Sequence, residues 1–168
     1  IGLHSTLFNP KLSSTTVLLL HNSIHVSHQN AEIRHKIVRG EPHERLTYFL
    51  GGAAGHSGYF STAADLLQYV RLLSSYGRLP NGNRVYTEAV VKTFTTRVPV
   101  NYSSTMGYGF DTSCPGHLMK DCFGHHGSTG CSAWTDRKTN ISFGFVTNRG
   151  HPNVNNGRFW DYIPKIAD

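Results

Sequence analysis

The stretch Phe123-Gly-His-His-Gly-Ser-Thr-Gly-Cys-Ser-Ala-Trp-Thr-Asp-Arg-Lys-Thr-Asn-Ile-Ser-Phe-Gly-Phe-Val-Thr-Asn148 reads as glycine-punctuated strands joined by a polar turn. Asp136-Arg-Lys-Thr-Asn140 has the composition that closes an antiparallel hairpin. Ile141 to Thr147 is mostly apolar, which predicts a buried strand. Glycines at 124, 127 and 130 punctuate the first strand, and glycine within a strand marks a bulge or the close approach of another backbone or a ligand. Something extended is therefore expected to lie against Phe123 to Gly130.

Strands are expected near 122–126, 130–135 and 141–147. Upstream, Thr62 with Asp65 three places on forms a capping pattern, and Leu66, Tyr69, Val70 and Leu73 recur at helical spacing until Gly77. Thr87 to Thr95 reads as a second helix with Glu88 in its first turn. The run Gly51-Gly-Ala-Ala-Gly-His-Ser-Gly58 is a glycine-rich bend, and Gly107-Tyr-Gly-Phe110 opens the strand-rich half. The first forty residues read mostly as loop, with a short strand around Thr16 to Leu20. A terminal helix is expected from about Asn156 to Ile166. Helices first, then an antiparallel meander and a closing helix, predict an α+β fold with an antiparallel sheet flanked by helices.

The 168 residues, 38% hydrophobic and 15% charged, have the make-up of a packed fold rather than a disordered chain. The net charge of +6 raises the question of an acidic partner. The densest basic stretch, however, holds only Arg34, Lys36 and Arg39 around His35, and no basic stripe is interleaved with aromatics, so no nucleic-acid partner is expected. The longest aliphatic run, Val17 to Leu20, is far too short to span a bilayer, and no membrane span is expected. Cys114, Cys122 and Cys131 show no C-x-x-C spacing and read as buried or idle thiols. Among the eleven histidines, His21, His25 and His28 would share one face of a helix. Ile24 and Val26 are β-branched and no acidic residue stands nearby, so neither a metal nor another cofactor is expected. His125 and His126, adjacent in a strand, point to opposite faces.

The run Leu50-Gly-Gly-Ala-Ala-Gly-His-Ser-Gly-Tyr-Phe-Ser-Thr-Ala-Ala-Asp-Leu-Leu67 is followed by Gly107-Tyr-Gly-Phe110, Phe123-Gly-His-His-Gly-Ser-Thr-Gly130 and Thr147-Asn-Arg149. In this order and spacing the segments resemble the serine β-lactamase-like family of penicillin-binding proteins, class C β-lactamases and related esterases and peptidases. Ile1-Gly-Leu-His-Ser-Thr-Leu-Phe-Asn-Pro10 and Val38-Arg-Gly-Glu-Pro-His43 are similar to the region after the family's second motif, so the likeness covers nearly the whole chain.

The resemblance implies a cleft built from three motifs: Ser-x-x-Lys, Tyr-x-Asn or Ser-x-Asn, and Lys-Thr-Gly or His-x-Gly. Only the third is present, as His125-His126-Gly127. It implies that His125 points into the cleft, that Gly127 lets substrate lie close, and that the Ser128 N–H is an oxyanion donor. Substrate would lie along the strand as an added strand. His126 stands where the family commonly has a small hydroxyl residue, which bears on substrate preference. Ser75-Tyr-Gly-Arg78 is the nearest approach to the first motif, and its arginine is too basic to accept a proton. Ser57 lacks the spacing of a nucleophile elbow and matches a structural bend.

The expectation is thus the C-terminal portion of a single domain of a longer hydrolase, with residues 1–100 in the helical region and 101–168 holding sheet strands and the terminal helix. The N-terminal strands and the helix bearing the nucleophile would come from a companion segment. Without it the edge at Ile141 to Thr147 stands unpaired, and the isolated chain would not run acyl-serine chemistry on its small-molecule or peptide-like substrate. Two other readings compete: a non-catalytic descendant acting as a binding or scaffold subunit, and a histidine-rich metal-binding module. Ser-x-x-Lys and Tyr-x-Asn in upstream sequence would separate the first two.

Overall fold

A computed structural model describes residues 7–8, 26–27, 38–98, 105–115, 121–149 and 165. The expected strand around Thr16 to Leu20 lies outside them, as does the terminal helix except for Lys165, which is helical. The order is β1 (Leu7–Phe8), β2 (Val26–Ser27), β3 (Val38–Arg39), α1 (Arg45–Phe49), β4 (Tyr59–Phe60), α2 (Ala63–Ser74), α3 (Glu88–Thr95), β5 (Cys122–His126), β6 (Ser132–Asp136) and β7 (Ile141–Phe145). The fold is α+β. Its main sheet is antiparallel in the order β5-β6-β7, and the pairs β1-β4 and β2-β3 are also antiparallel.

Both expected helices form from their caps. Thr62 Oγ1 accepts from the Asp65 N–H at 3.2 Å, and Thr87 Oγ1 from the Val90 N–H at 3.3 Å, satisfying donors that the first turn of a helix leaves without partners. At the end of α2 the Gly77 N–H donates to Leu72 and the Tyr76 N–H to Leu73, 2.9 and 3.0 Å away, the paired bonds of a Schellman stop. Its left-handed position is taken by Tyr76, at φ 52, not by a glycine. Gly77 is needed for a different reason, since a Cβ there would stand 2.9 Å from Tyr86 Cβ and closer still to the Tyr86 carbonyl.

The sheet has two covered faces. On one, α2 packs over β6 and β7, and Leu73, Val91 and Phe123 form a core flanked by Tyr69, Tyr76 and Phe110. On the other, Trp134 and Cys122 are buried with Cys114 and Phe143 against them. Here the reading of idle thiols needs correction: Cys114 and Cys122 form a disulfide, and Cys131 alone remains a thiol. The bridge reinforces the backbone pairing of Asp111 with Gly124, whose mutual bonds are 2.8 and 2.9 Å. At Gly124 the neighbour on this edge of β5 is therefore part of the chain itself. β7 is the end strand of the sheet among the described residues, and it is half-buried, with Ile141 exposed, rather than fully covered.

The β6-β7 turn sits where its composition predicted. Buried Asp136 accepts from the Lys138 and Thr139 N–H groups at 2.7 and 3.1 Å through Oδ1, and from the Asp121 N–H at 3.2 Å through Oδ2. Asn140 closes the turn at φ 57, a conformation asparagine tolerates. The next residue of the turn after Asp136, Arg137, reaches inward. Its Nη2 donates to the Leu73 carbonyl at 3.3 Å and to Thr95 Oγ1 at 2.8 Å, and its guanidinium lies 4.3 Å from the Tyr76 ring centre and 4.4 Å from that of Phe123. One cation thus ties the ends of both helices to the sheet.

Helix α1 was not legible in the sequence. Glu44 caps it, accepting from the Leu46 and Thr47 N–H groups at 3.0 and 2.6 Å and from His56 Nε2 at 3.0 Å. The last contact folds the glycine-rich bend back over the helix. The bend itself requires Gly58, which sits at φ +100 with the Gly52 carbonyl 2.5 Å from where a Cβ would stand. The Thr47 N–H, then His56, then the Leu46 N–H hold the Glu44 carboxyl down to a pKa of about 2 from the ordinary 4.5. A depressed folded-state pKa means stability that is present above about pH 4.5 and lost as pH falls through about 2. The stability difference between wild type and Glu44→Gln is accordingly expected to shrink over that window in acid melting curves; a difference constant across it would remove the assignment.

Candidate active-site wall

Strand β5 ends at His126, and a tight turn leads into β6. The Gly127 N–H donates to the Cys131 carbonyl at 2.7 Å, and the Gly130 N–H donates to the Gly127 carbonyl at 2.9 Å. In a planar trans peptide the C=O and N–H point in opposite directions. With the Gly127 carbonyl turned into the loop, the Ser128 N–H is turned out of it. Ser128 is exposed, and its N–H has no acceptor among the described residues. The following two carbonyls are also held. The Ser128 C=O accepts from Arg149 Nε and Nη2 at 3.0 and 2.8 Å, and the Thr129 C=O from the Arg149 N–H at 3.0 Å and Thr147 Oγ1 at 3.1 Å.

The two histidines diverge as strand geometry requires. His125 is exposed, and its Nδ1 lies 2.7 Å from the His126 carbonyl. A carbonyl only accepts, so Nδ1 carries the proton and Nε2 of the neutral ring holds the lone pair. The His126 ring lies 5.1 Å from the Trp134 ring, on the opposite face. Trp134 Nε1 donates to Ser132 Oγ at 3.0 Å, and Ser132 Oγ lies 2.8 Å from His126 Nδ1. The indole N–H only donates, so the Ser132 hydroxyl proton is available for His126 Nδ1. Burial lowers the His126 pKa, with His125 acting in the same direction and Asp111 opposing. Both this direction and the Ser132 contact favour His126 Nδ1 as the acceptor.

Glycines 124 and 127 differ in kind. A Cβ on Gly124 would collide with the Ala133 carbonyl and the Trp134 indole, whereas on Gly127 its nearest neighbour would be Cys131 Cβ at an ordinary 3.6 Å. The first glycine is demanded by the fold; the second is not. Among the described residues no three His, Cys, Asp or Glu side chains are grouped to hold a metal, and His21, His25 and His28 lie outside those residues. No helix among the described residues is long and apolar enough to cross a membrane.

The family model described as Beta-lactamase matches residues 8–167. The chain belongs to the β-lactamase family. A Salmonella gallinarum protein named "Putative D-alanyl-D-alanine carboxypeptidase" is 27% identical over 172 residues, covering 93% of this chain and 39% of its own length. Proteins of the same name from Salmonella paratyphi B and Salmonella newport are each 26% identical over 169 residues with the same coverage. The chain thus spans well under half the length of these relatives. Membership places it in a hydrolase family of β-lactamase and penicillin-binding-protein type. The sequence of this family member had pointed to His125, His126, Gly127 and Ser128; it had not singled out Thr147 and Arg149 for any role. Their only signal was their place in the Thr147-Asn-Arg149 segment.

Proposed function

We propose that the chain forms one wall of an acyl-transfer cleft in a serine hydrolase acting on an amide, ester or lactam, with the Ser128 N–H as an oxyanion donor. The observation that carries this reading is the outward, exposed Ser128 N–H at the end of a sheet strand, its peptide oriented by the Gly127 carbonyl. A donor fixed in advance needs no reorganisation as charge develops on a substrate oxygen, and one such donor is worth about 2.7 to 4 kcal/mol in the transition state. His125 complements it. With Nδ1–H committed to the His126 carbonyl, Nε2 accepts a proton, or once protonated donates toward a polar substrate group.

Gly127 has room for a Cβ within the chain, so the reading assigns its bare Cα to a substrate passing close by, extended along the edge of β5 past the Asp111–Gly124 pairing. His126 shapes the same edge from the opposite face, with its ring held on Ser132. No Ser-x-x-Lys or Tyr-x-Asn occurs in the 168 residues, so the nucleophile and its basic partner are assigned to sequence outside them, and residues 1–168 to the C-terminal portion of the same domain. The carboxypeptidase name of the relatives favours a peptide-like substrate.

The test is turnover of a p-nitrophenyl ester and of a peptide ending in D-alanyl-D-alanine by the full-length protein. Hydrolysis through an acyl-enzyme is expected. Gly127→Ala should lower kcat/KM by about tenfold or more while leaving the melting midpoint at its wild-type value. No turnover of either substrate would remove the reading in favour of a binding or scaffold subunit. An unimpaired Gly127→Ala enzyme would remove the role given to that glycine.

A further inference from the structure

We infer that Arg149 is a positioning residue for the Ser128 N–H, a role that rests on the acyl-transfer reading above. A backbone N–H works as a fixed donor only if its peptide cannot flip. In the turn from Gly127 to Gly130 the carbonyls of Gly127, Ser128 and Thr129 each have a partner. The Gly127 carbonyl is held within the turn by the Gly130 N–H. The other two are held from outside by the segment after β7. Arg149 sends two guanidinium nitrogens to the Ser128 carbonyl, and its own backbone N–H joins Thr147 Oγ1 on the Thr129 carbonyl. A two-nitrogen clamp on one oxygen fixes direction as well as distance, because the guanidinium is planar and its donors have a fixed spread.

The Ser128–Thr129 peptide that Arg149 clamps is joined through a single Cα to the Gly127–Ser128 peptide that carries the donor. Gly127, on the other side of that donor peptide, offers little resistance of its own, since glycine adopts many backbone angles. The short turn is thus pinned on its far side by charge-assisted hydrogen bonds, each about twice as strong as a neutral one. Lysine at this place would keep the charge and lose the fork. Arg149 thus serves as a structural donor acting through the Ser128 carbonyl.

Two measurements on the full-length protein test this, using Arg149→Lys and Arg149→Ala. In the first, amide hydrogen exchange is followed at Gly130, whose N–H closes the turn, and at Gly124, whose N–H bonds to Asp111 within the sheet. Both variants are expected to speed exchange at Gly130 about tenfold or more, with Gly124 unchanged. In the second, ester hydrolysis is expected to lose about tenfold to a hundredfold in kcat with KM nearly constant. Ethylguanidinium should restore part of the Arg149→Ala loss and none of the Arg149→Lys loss. Unchanged exchange at Gly130 would overturn the inference, as would faster exchange at Gly124 and Gly130 alike, a loss confined to KM, or an unaltered kcat. A wild-type protein with no esterase activity would defeat the acyl-transfer reading, and the exchange at Gly130 would then decide by itself whether Arg149 orders the turn.

Discussion

Gly124→Ala is expected to destabilise the protein by at least about 3 kcal/mol, the largest effect of any single methyl group in the sheet. The added Cβ has nowhere to go, since it meets the Ala133 carbonyl on the neighbouring strand and the face of the Trp134 indole. Neither can retreat cheaply. The carbonyl belongs to the strand paired with β5, and the indole is fully buried with its N–H committed to Ser132 Oγ. Domains of this size have only about 5 to 15 kcal/mol of net stability, so the variant should unfold at visibly lower urea, as followed by circular dichroism. Gly127→Ala serves as the control, three residues away and with room for the same methyl group. Equal midpoints for the two variants would show that the indole does not occupy the space over Gly124.

Arg137→Ala is expected to cost about 3 kcal/mol, from a hydrogen bond made by a charged donor, at about 1.5 to 3, and contact with two aromatic rings, at about 0.5 to 2. The leftovers add to the loss. The Leu73 carbonyl keeps the Tyr76 N–H, but it lies in the last turn of α2, where the helix gathers partial negative charge. Removing the guanidinium takes a cation from that place and a donor from Thr95 Oγ1, which itself donates to the Val91 carbonyl at 2.7 Å. Arg137→Lys should fall between wild type and alanine: an ammonium can sit against Tyr76 and Phe123 but lacks the planar fork. Urea unfolding of the three proteins gives the order. Alanine and lysine variants as stable as wild type would mean that the sandwich in the core contributes nothing.

The elements that the sequence made legible are those whose signals are local. Thr62 and Thr87 are caps, and Asp136 to Asn140 is a turn whose side chain bonds to its own backbone, so each was visible within a few residues. Helix α1 was missed because five residues show no period, and because its cap is a glutamate held by a histidine twelve positions away. The disulfide was missed because pairing depends on where the Asp111 segment crosses β5, which spacing does not reveal. Gly124 was read as leaving space for something extended. The backbone at Asp111 does pair with its edge, yet the space above it is filled by Trp134, ten residues further on. At the candidate site the opposed directions of His125 and His126 followed from the two-residue period of a strand. The clamp on Ser128 did not, since Arg149 lies twenty-one positions away.

The bridge between Cys114 and Cys122 makes part of this stability a property of the host as well as of the chain. Disulfides persist in oxidising compartments and are kept open by cellular reductants in the cytosol. With the two cysteines eight positions apart, closing the loop removes chain entropy from the unfolded state worth about 2 to 3 kcal/mol. That is as much as the whole expected effect of Arg137→Ala. Protein from a reducing cytoplasm and protein from an oxidising one are therefore two different starting materials, and variants compared across them would report on the expression host before they report on the substitution.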